Sequence, residues 1–128
     1  MKPLTKEWVE KAEGDFATAR REIRVKRSTN YDAVCFHAQQ CAEKYLKALL
    51  QEADIPFGKT HHLISLLDLL LEASRSWELF RPQLQSLNAY SVSIRYPGES
   101  ADNAAAREAL ALAIAVRKEA RSNLALEP

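Results

Sequence analysis

Glycine and proline are scarce in this sequence, 3 and 5 among 128 residues, and Val, Ile and Thr together number only 14. A chain so poor in turn formers and β-branched side chains has little with which to build hairpins and pleated strands. Sheet architectures are thereby excluded. There are 2 cysteines, Cys35 and Cys41. Six residues apart in what reads as one helix, they point in different directions and make neither a disulfide framework nor a zinc knuckle. An excess of charge is missing as well, since 18 Lys and Arg against 17 Asp and Glu leave a formal charge of +1. A bulk electrostatic nucleic-acid binder carries a clear basic excess, so any polyanion contact has to be local. Long apolar runs are also absent. The longest apolar-rich stretch, residues 63–71, is too short to span a bilayer and contains Ser65 and Asp68. The N-terminus opens an amphipathic segment without the apolar core of a signal peptide. The expectation is a soluble, reduced, cytoplasmic protein with no membrane partner.

What is abundant is Ala, 20 residues, and Leu, 17 residues, both strong helix formers. The composition predicts an all-α fold, an antiparallel up-and-down bundle of four to five helices forming a single domain over residues 1–128. Pro3, Pro56, Gly58, Pro97 and Gly98 punctuate it. The first helix is expected from Thr5 to Val25, because Trp8, Ala12, Phe16, Ala19 and Ile23 form one helical stripe. Asp15 lies at the edge of that stripe, where a carboxylate can meet a neighbouring helix. The basic run Arg20, Arg21, Arg24, Lys26 and Arg27 falls in its last turns, where cations complement the helix dipole.

The second helix is expected from Tyr31 to Ala53. Val34, Ala38, Cys41, Ala42, Tyr45, Ala48 and Leu49 share a broad apolar face, and His37, Gln40, Lys44 and Lys47 form a polar stripe along its flank. Phe36 projects from the polar side, as a partner surface or as one odd aromatic on a solvated face. A third helix, capped by Thr60 and running to Ser74, is Leu-rich around most of its circumference. That makes it either centrally buried or half of an interface. A fourth starts at Pro82 with Leu84, Leu87, Tyr90 and Ile94 as its stripe, and a fifth runs from Asp102 to Asn123 with small residues on one face.

The usual enzyme signatures are absent: no Gly-rich phosphate loop, no nucleophile elbow, no metal-ligand cluster and no cofactor motif. His61 and His62 are adjacent and cannot act as paired zinc ligands at helical spacing. One of them is expected to serve as a hydrogen-bonding residue at a helix start. Asp15 with Lys44 fits an interhelical ion pair. The segment Tyr90 to Gly98 brings Tyr90, Arg95 and Tyr96 to a Pro-Gly turn. There a guanidinium fork can take phosphate and a phenol ring can stack on a base.

Trp8, Ala12 and Asp15, then Tyr31 and the run Phe36 to Leu50, followed by Thr60-His61-His62-Leu63, Leu66-Leu67, Tyr90 and Arg95-Tyr96-Pro97, form an ordered pattern over nearly the full length. In this pattern the chain resembles a HEPN domain, the small helical family named for higher-eukaryote and prokaryote nucleotide binding. The resemblance implies a dimerising helical bundle, often encoded beside a minimal nucleotidyltransferase in a two-protein module. Some members are metal-independent RNase toxins of toxin-antitoxin modules, whose signature is an Arg followed by His after four to six residues.

That signature is missing here, because residues 96–102 after Arg95 contain no His. The expectation is therefore a homodimer that binds a nucleotide, RNA or a nucleotidyltransferase partner without catalysis of its own. His37, Gln40, Lys44, His62, Tyr90, Arg95 and Tyr96 are the candidate contacts. One alternative is an RNase toxin with a displaced His, using Arg95 with His37 or His62. Another is a purely structural helical dimer.

Overall fold

The computed structural model describes residues 1–93 and 96–128. Five α-helices follow one another: α1 (Pro3–Ile23), α2 (Tyr31–Glu52), α3 (Leu63–Leu70), α4 (Arg81–Ser93) and α5 (Asn103–Asn123), with a 3-10 segment, Arg75–Phe80, leading into α4. Among the described residues there is no strand, and no helix is long and apolar enough to cross a membrane. The all-α bundle read from the composition is the fold. Cys35 and Cys41 are both free and buried.

Local chemistry sets the helix ends. Pro3 stands in the first turn of α1, where a missing N–H costs nothing. The Asn30 side chain accepts from the N–H of Ala33 to start α2, and Asp102 does the same for Ala105 to start α5. At α3 the cap is His62, whose Nδ1 accepts from the N–H of Ser65 at 3.3 Å. Thr60, expected to cap that helix, instead accepts from the N–H of His62 one step earlier. The helix also stops at Leu70 rather than Ser74. Trp77, in the 3-10 segment that the sequence pattern does not reveal, is buried and donates from Nε1 to Asn123 at 3.1 Å. Arg81 then ties Glu78 and Asp68 together, fixing the α3-to-α4 corner.

The centre of the bundle is α2. From Ala38 to Leu50 every residue but Lys44 is buried, so the polar stripe expected on its flank is largely interior. It packs against α1, α5, α4 and α3. Around it α1 touches α5, α5 touches α4 and α4 touches α3, but α1 and α3 are not a packed pair. Cross-links set the directions. Glu22 accepts from the N–H of Asn30, and Glu52 from the N–H of Lys2, so α1 and α2 are antiparallel. Asp32 accepts from the N–H of Ala101 while Arg121 reaches Tyr45, so α5 runs along α2 in the same sense.

The chain leaves α2 through Asp54 in the left-handed region (φ 56°), which Asp tolerates better than most residues. It then returns in extended form to begin α3 beside the middle of α2. That return closes one side of the bundle with a loop rather than a helix. A long face of α2 lies between this loop and α1.

Candidate functional site

The face of α2 between α1 and the returning loop carries Phe36, His37, Gln40, Glu43, Lys44 and Lys47, which helical geometry places within about one-third of a turn of one another. Burying so many polar groups demands that each be paired. Glu43, with its side chain 2% exposed, accepts from Lys47 Nζ at 3.0 Å, from Gln40 Nε2 at 3.4 Å and from His61 Nδ1 at 3.0 Å. Gln40 also donates to Gln39 Oε1 at 2.8 Å, and Gln39 donates onward to the carbonyl of His61 at 3.0 Å. A chain of amides thus stitches the returning loop to α2. The Lys47 ammonium lies 5.3 Å from the centre of the Trp8 ring, a cation–π contact from α1. Trp8 meets Phe57 edge-on across the same face.

Toward the start of α2 the same face reaches Asp15 of α1. Asp15 accepts from His37 Nδ1 at 2.7 Å and from Lys44 Nζ at 2.5 Å. The ion pair read between Asp15 and Lys44 is present, with the His37 imidazole as a second donor. Phe36 stands beside it, 41% exposed, its ring edge-on to that of His37. At the opposite end, past Trp8 and Phe57, the surface opens into a cleft of about 570 Å³. Leu4, Ile55 and Pro56 line it, and Glu7 and Lys11 stand at its rim.

The face is therefore neutral on balance. Two carboxylates meet two ammonium groups, and two imidazoles each turn Nδ1 to a carboxylate, with no hydrogen bond to the far ring nitrogen among the described residues. His61 is the more open of the two, at 66% exposure of its side chain against 30% for His37. An exposed imidazole oriented by a buried carboxylate is equipped to pass a proton. Among the described residues no group of three or more His, Cys, Asp and Glu side chains is placed to hold a metal ion.

Of the residues singled out in the sequence, His37, Gln40 and Lys44 share this face, and His62 stands at the start of α3 at its margin. Tyr90 does not join them. Its hydroxyl donates to Glu108 of α5 at 2.7 Å, on the other side of α2. That bond comes first among the causes that push the Tyr90 phenol up to about 12, followed by burial. Tyr96 is 67% exposed. Arg95, like Ile94 of the expected fourth stripe, lies outside the described residues.

Sequence reasoning missed Glu43, Gln39 and His61. The four-residue spacings from Gln39 to Glu43 to Lys47 were available as a signal. The arrival of His61 was not, because it depends on the path of a ten-residue loop.

A second polar cluster joins α1, α2 and α5. Arg117 grips Glu13 with Nε and Nη2, both at 2.8 Å, and the Tyr45 hydroxyl donates to the same carboxylate. Burial alone would raise the Glu13 pKa. The Arg117 and Tyr45 hydrogen bonds, with the charges of Arg117 and Arg121, outweigh it and hold the carboxyl below its usual range. Burial, followed by the Coulomb effect of Asp32, pushes the Cys35 thiol up to about 11. It stays protonated and inert.

A HEPN domain model matches residues 5–123. Among solved structures, TT1696 from Thermus thermophilus is similar at 27% identity, covering 92% of this chain and 96% of its own, with a TM-score of 0.71. ST0689, an archaeal HEPN homologue, is 24% identical over 96% of this chain and 98% of its own, with a TM-score of 0.66, and shows the shared fold. No curated protein matches the chain. With the match running from the first turn of α1 to the last residue of α5, the chain belongs to the HEPN domain family.

Proposed function

We propose that this HEPN domain is a homodimeric, non-catalytic module that binds a nucleotide or a short RNA segment on the uncovered face of α2, with a minimal nucleotidyltransferase as its protein partner. The observation that carries the reading is the gap between α1 and α3. There the central helix meets solvent through the Phe36 ring, the His37 imidazole and the Lys44 ammonium, with Gln40, Glu43 and Lys47 buried behind them. Phe36 offers a ring on which a base can stack, and the His37 imidazole has its second ring nitrogen for a base edge or sugar hydroxyl. Lys44 and Lys47 are each held by a carboxylate, so the face favours base and sugar contacts over phosphate. Arg95 and Tyr96 keep the phosphate and stacking roles that the sequence suggests for them.

Calorimetric titration with mononucleotides and short oligoribonucleotides tests this. Replacing Phe36 by Ala should weaken binding about tenfold, the size of one lost stacking contact. Unchanged affinity would remove the α2 face from consideration. Light scattering on the same samples reports the dimer.

A second reading, metal-independent RNA cleavage, draws support from His61, held at Nδ1 by buried Glu43 and open to solvent. On this reading His61, rather than His37 or His62, is the displaced acid/base. Cleavage of RNA in EDTA that His61→Gln abolishes would establish it in place of the non-catalytic one.

A further inference from the structure

The other edge of α1 has a different chemistry. Two guanidinium groups lie over the Phe16 ring of α1, Arg117 of α5 at 4.5 Å and Arg20 one turn along α1 at 5.4 Å from the ring centre. That contact fixes the register of the α1–α5 seam. Because α1 and α5 run in opposite directions, continuing that register past Phe16 sets Arg24, the residue that caps the C-terminus of α1, toward the early turns of α5, where Arg107 stands. From Arg107 to Arg117 the seam runs about 15 Å at 1.5 Å per residue.

Along this length Arg117 is paired with Glu13, while Arg20, Arg24 and Arg107 have no carboxylate partner among the described residues. Arg20 is exposed with the Phe16 ring beneath it, and Arg107 donates to the neutral Asn103 side chain at 2.6 Å. Arg24 is exposed at the end of α1, and no ion pair holds it among the described residues. The nearby acids keep their charge but have other hydrogen-bond partners. Glu13 is gripped by Arg117, Glu108 accepts from Tyr90, Glu119 from Asn123, Asp102 caps α5 and Asp32 accepts from the N–H of Ala101. Arg20, Arg24 and Arg107 are therefore exposed guanidinium groups that no carboxylate neutralises among the described residues.

We infer that the α1–α5 seam is a track for the phosphodiester backbone of a single RNA strand, with Arg20, Arg24 and Arg107 as its phosphate contacts. It is a second site, on the opposite edge of α1 from the α2 face, and it stands whether or not that face binds a nucleotide. Arginine forks match phosphate oxygens in pairs. Cations set in a line rather than a knot suit a continuous polyanion. An acidic protein helix is the poorer fit. Ile114 is the one large apolar side chain exposed on α5, so the seam offers little to hold the apolar face of such a partner.

The test is fluorescence anisotropy with a 16-nucleotide oligouridylate over a range of salt, on the full chain and its Arg20→Ala/Arg24→Ala/Arg107→Ala variant. Three lost phosphate contacts should lower the salt slope by about 2, at roughly 0.7 per contact on a single strand, and weaken binding at least tenfold at low salt. Mononucleotide binding at the α2 face should be unchanged, while Phe36→Ala should leave the salt slope intact. The two sites therefore fail or stand separately. No oligouridylate binding by the unaltered chain, or an unchanged slope in the variant, overturns the proposal. So does displacement of the oligonucleotide by polyglutamate at equal charge, which would point to an acidic protein. A change of oligomeric state in the variant would show the seam to be a contact between copies and would equally overturn it.

Discussion

The two edges of α1 handle charge in opposite ways. On the edge facing the gap over α2, Asp15 and the neighbouring Glu43 are nearly buried, and every ionic group there has a partner of opposite sign or a hydrogen bond. On the edge facing α5, Glu13 is one-third exposed and sits at the end of a line of cations, most of which face water. A buried charge must be paired or it costs several kcal/mol, whereas an exposed one can be left unpaired at almost no cost. The inner edge is thus fixed by the fold. The outer edge is available to a partner.

The largest expected effect breaks the inner edge. Glu43→Leu leaves Lys47, 6% exposed, with no counter-ion and removes the acceptor for Gln40 and His61. Such a change should cost about 3–5 kcal/mol of stability in urea unfolding. Replacing both partners, Glu43→Leu with Lys47→Met, should recover most of that loss, because a buried pair and a well-packed apolar pair are close in stability. If the single change is tolerated, the array is less dry than its geometry indicates.

At the outer edge the effect should be smaller and should depend on pH. The Glu13 carboxyl is held below its usual range, so its folded pKa lies under its unfolded one. The cluster's contribution is then fully present above the unfolded carboxylate pKa and is lost as pH falls through the folded value. Glu13→Gln should lower stability by about 1 kcal/mol at neutral pH, a modest figure because the carboxylate is partly exposed. The gap between variant and parent should close on acidification. Thermal melts at neutral pH and near pH 3 measure it, and a gap that persists in acid would assign the loss to packing on Phe16 instead.

The contrast between the edges also explains what the sequence could say. Helical periodicity located all five α-helices, since Ala- and Leu-rich stripes carry that signal directly, and it paired Asp15 with Lys44 across two helices. It placed Gln40 and Lys47 on a solvated flank because polarity is usually exposure. The return of residues 53–62 over α2, together with Trp8 of α1, buries them, and loop paths leave no periodic trace. The same loop brings His61 to Glu43. Trp77 was hidden for a similar reason, because a single 3-10 segment is too short to show a repeat.

The smallest effect on stability should come from Arg20→Ala, and it separates the edges most sharply. Arg20 is exposed, makes no ion pair among the described residues and packs on the Phe16 ring, over which Arg117 lies closer still. An exposed cation–π contact contributes about 0.5–1 kcal/mol, so the melting temperature should move by no more than a few degrees. If the outer edge is arranged for a polyanion, the same change should reduce oligouridylate affinity severalfold at low salt and progressively less as salt rises, because screening shortens the reach of the lost charge. A variant that melts like its parent yet binds RNA less well would show that these cations are held for a partner. A variant that loses stability and binding in step would make them part of the fold.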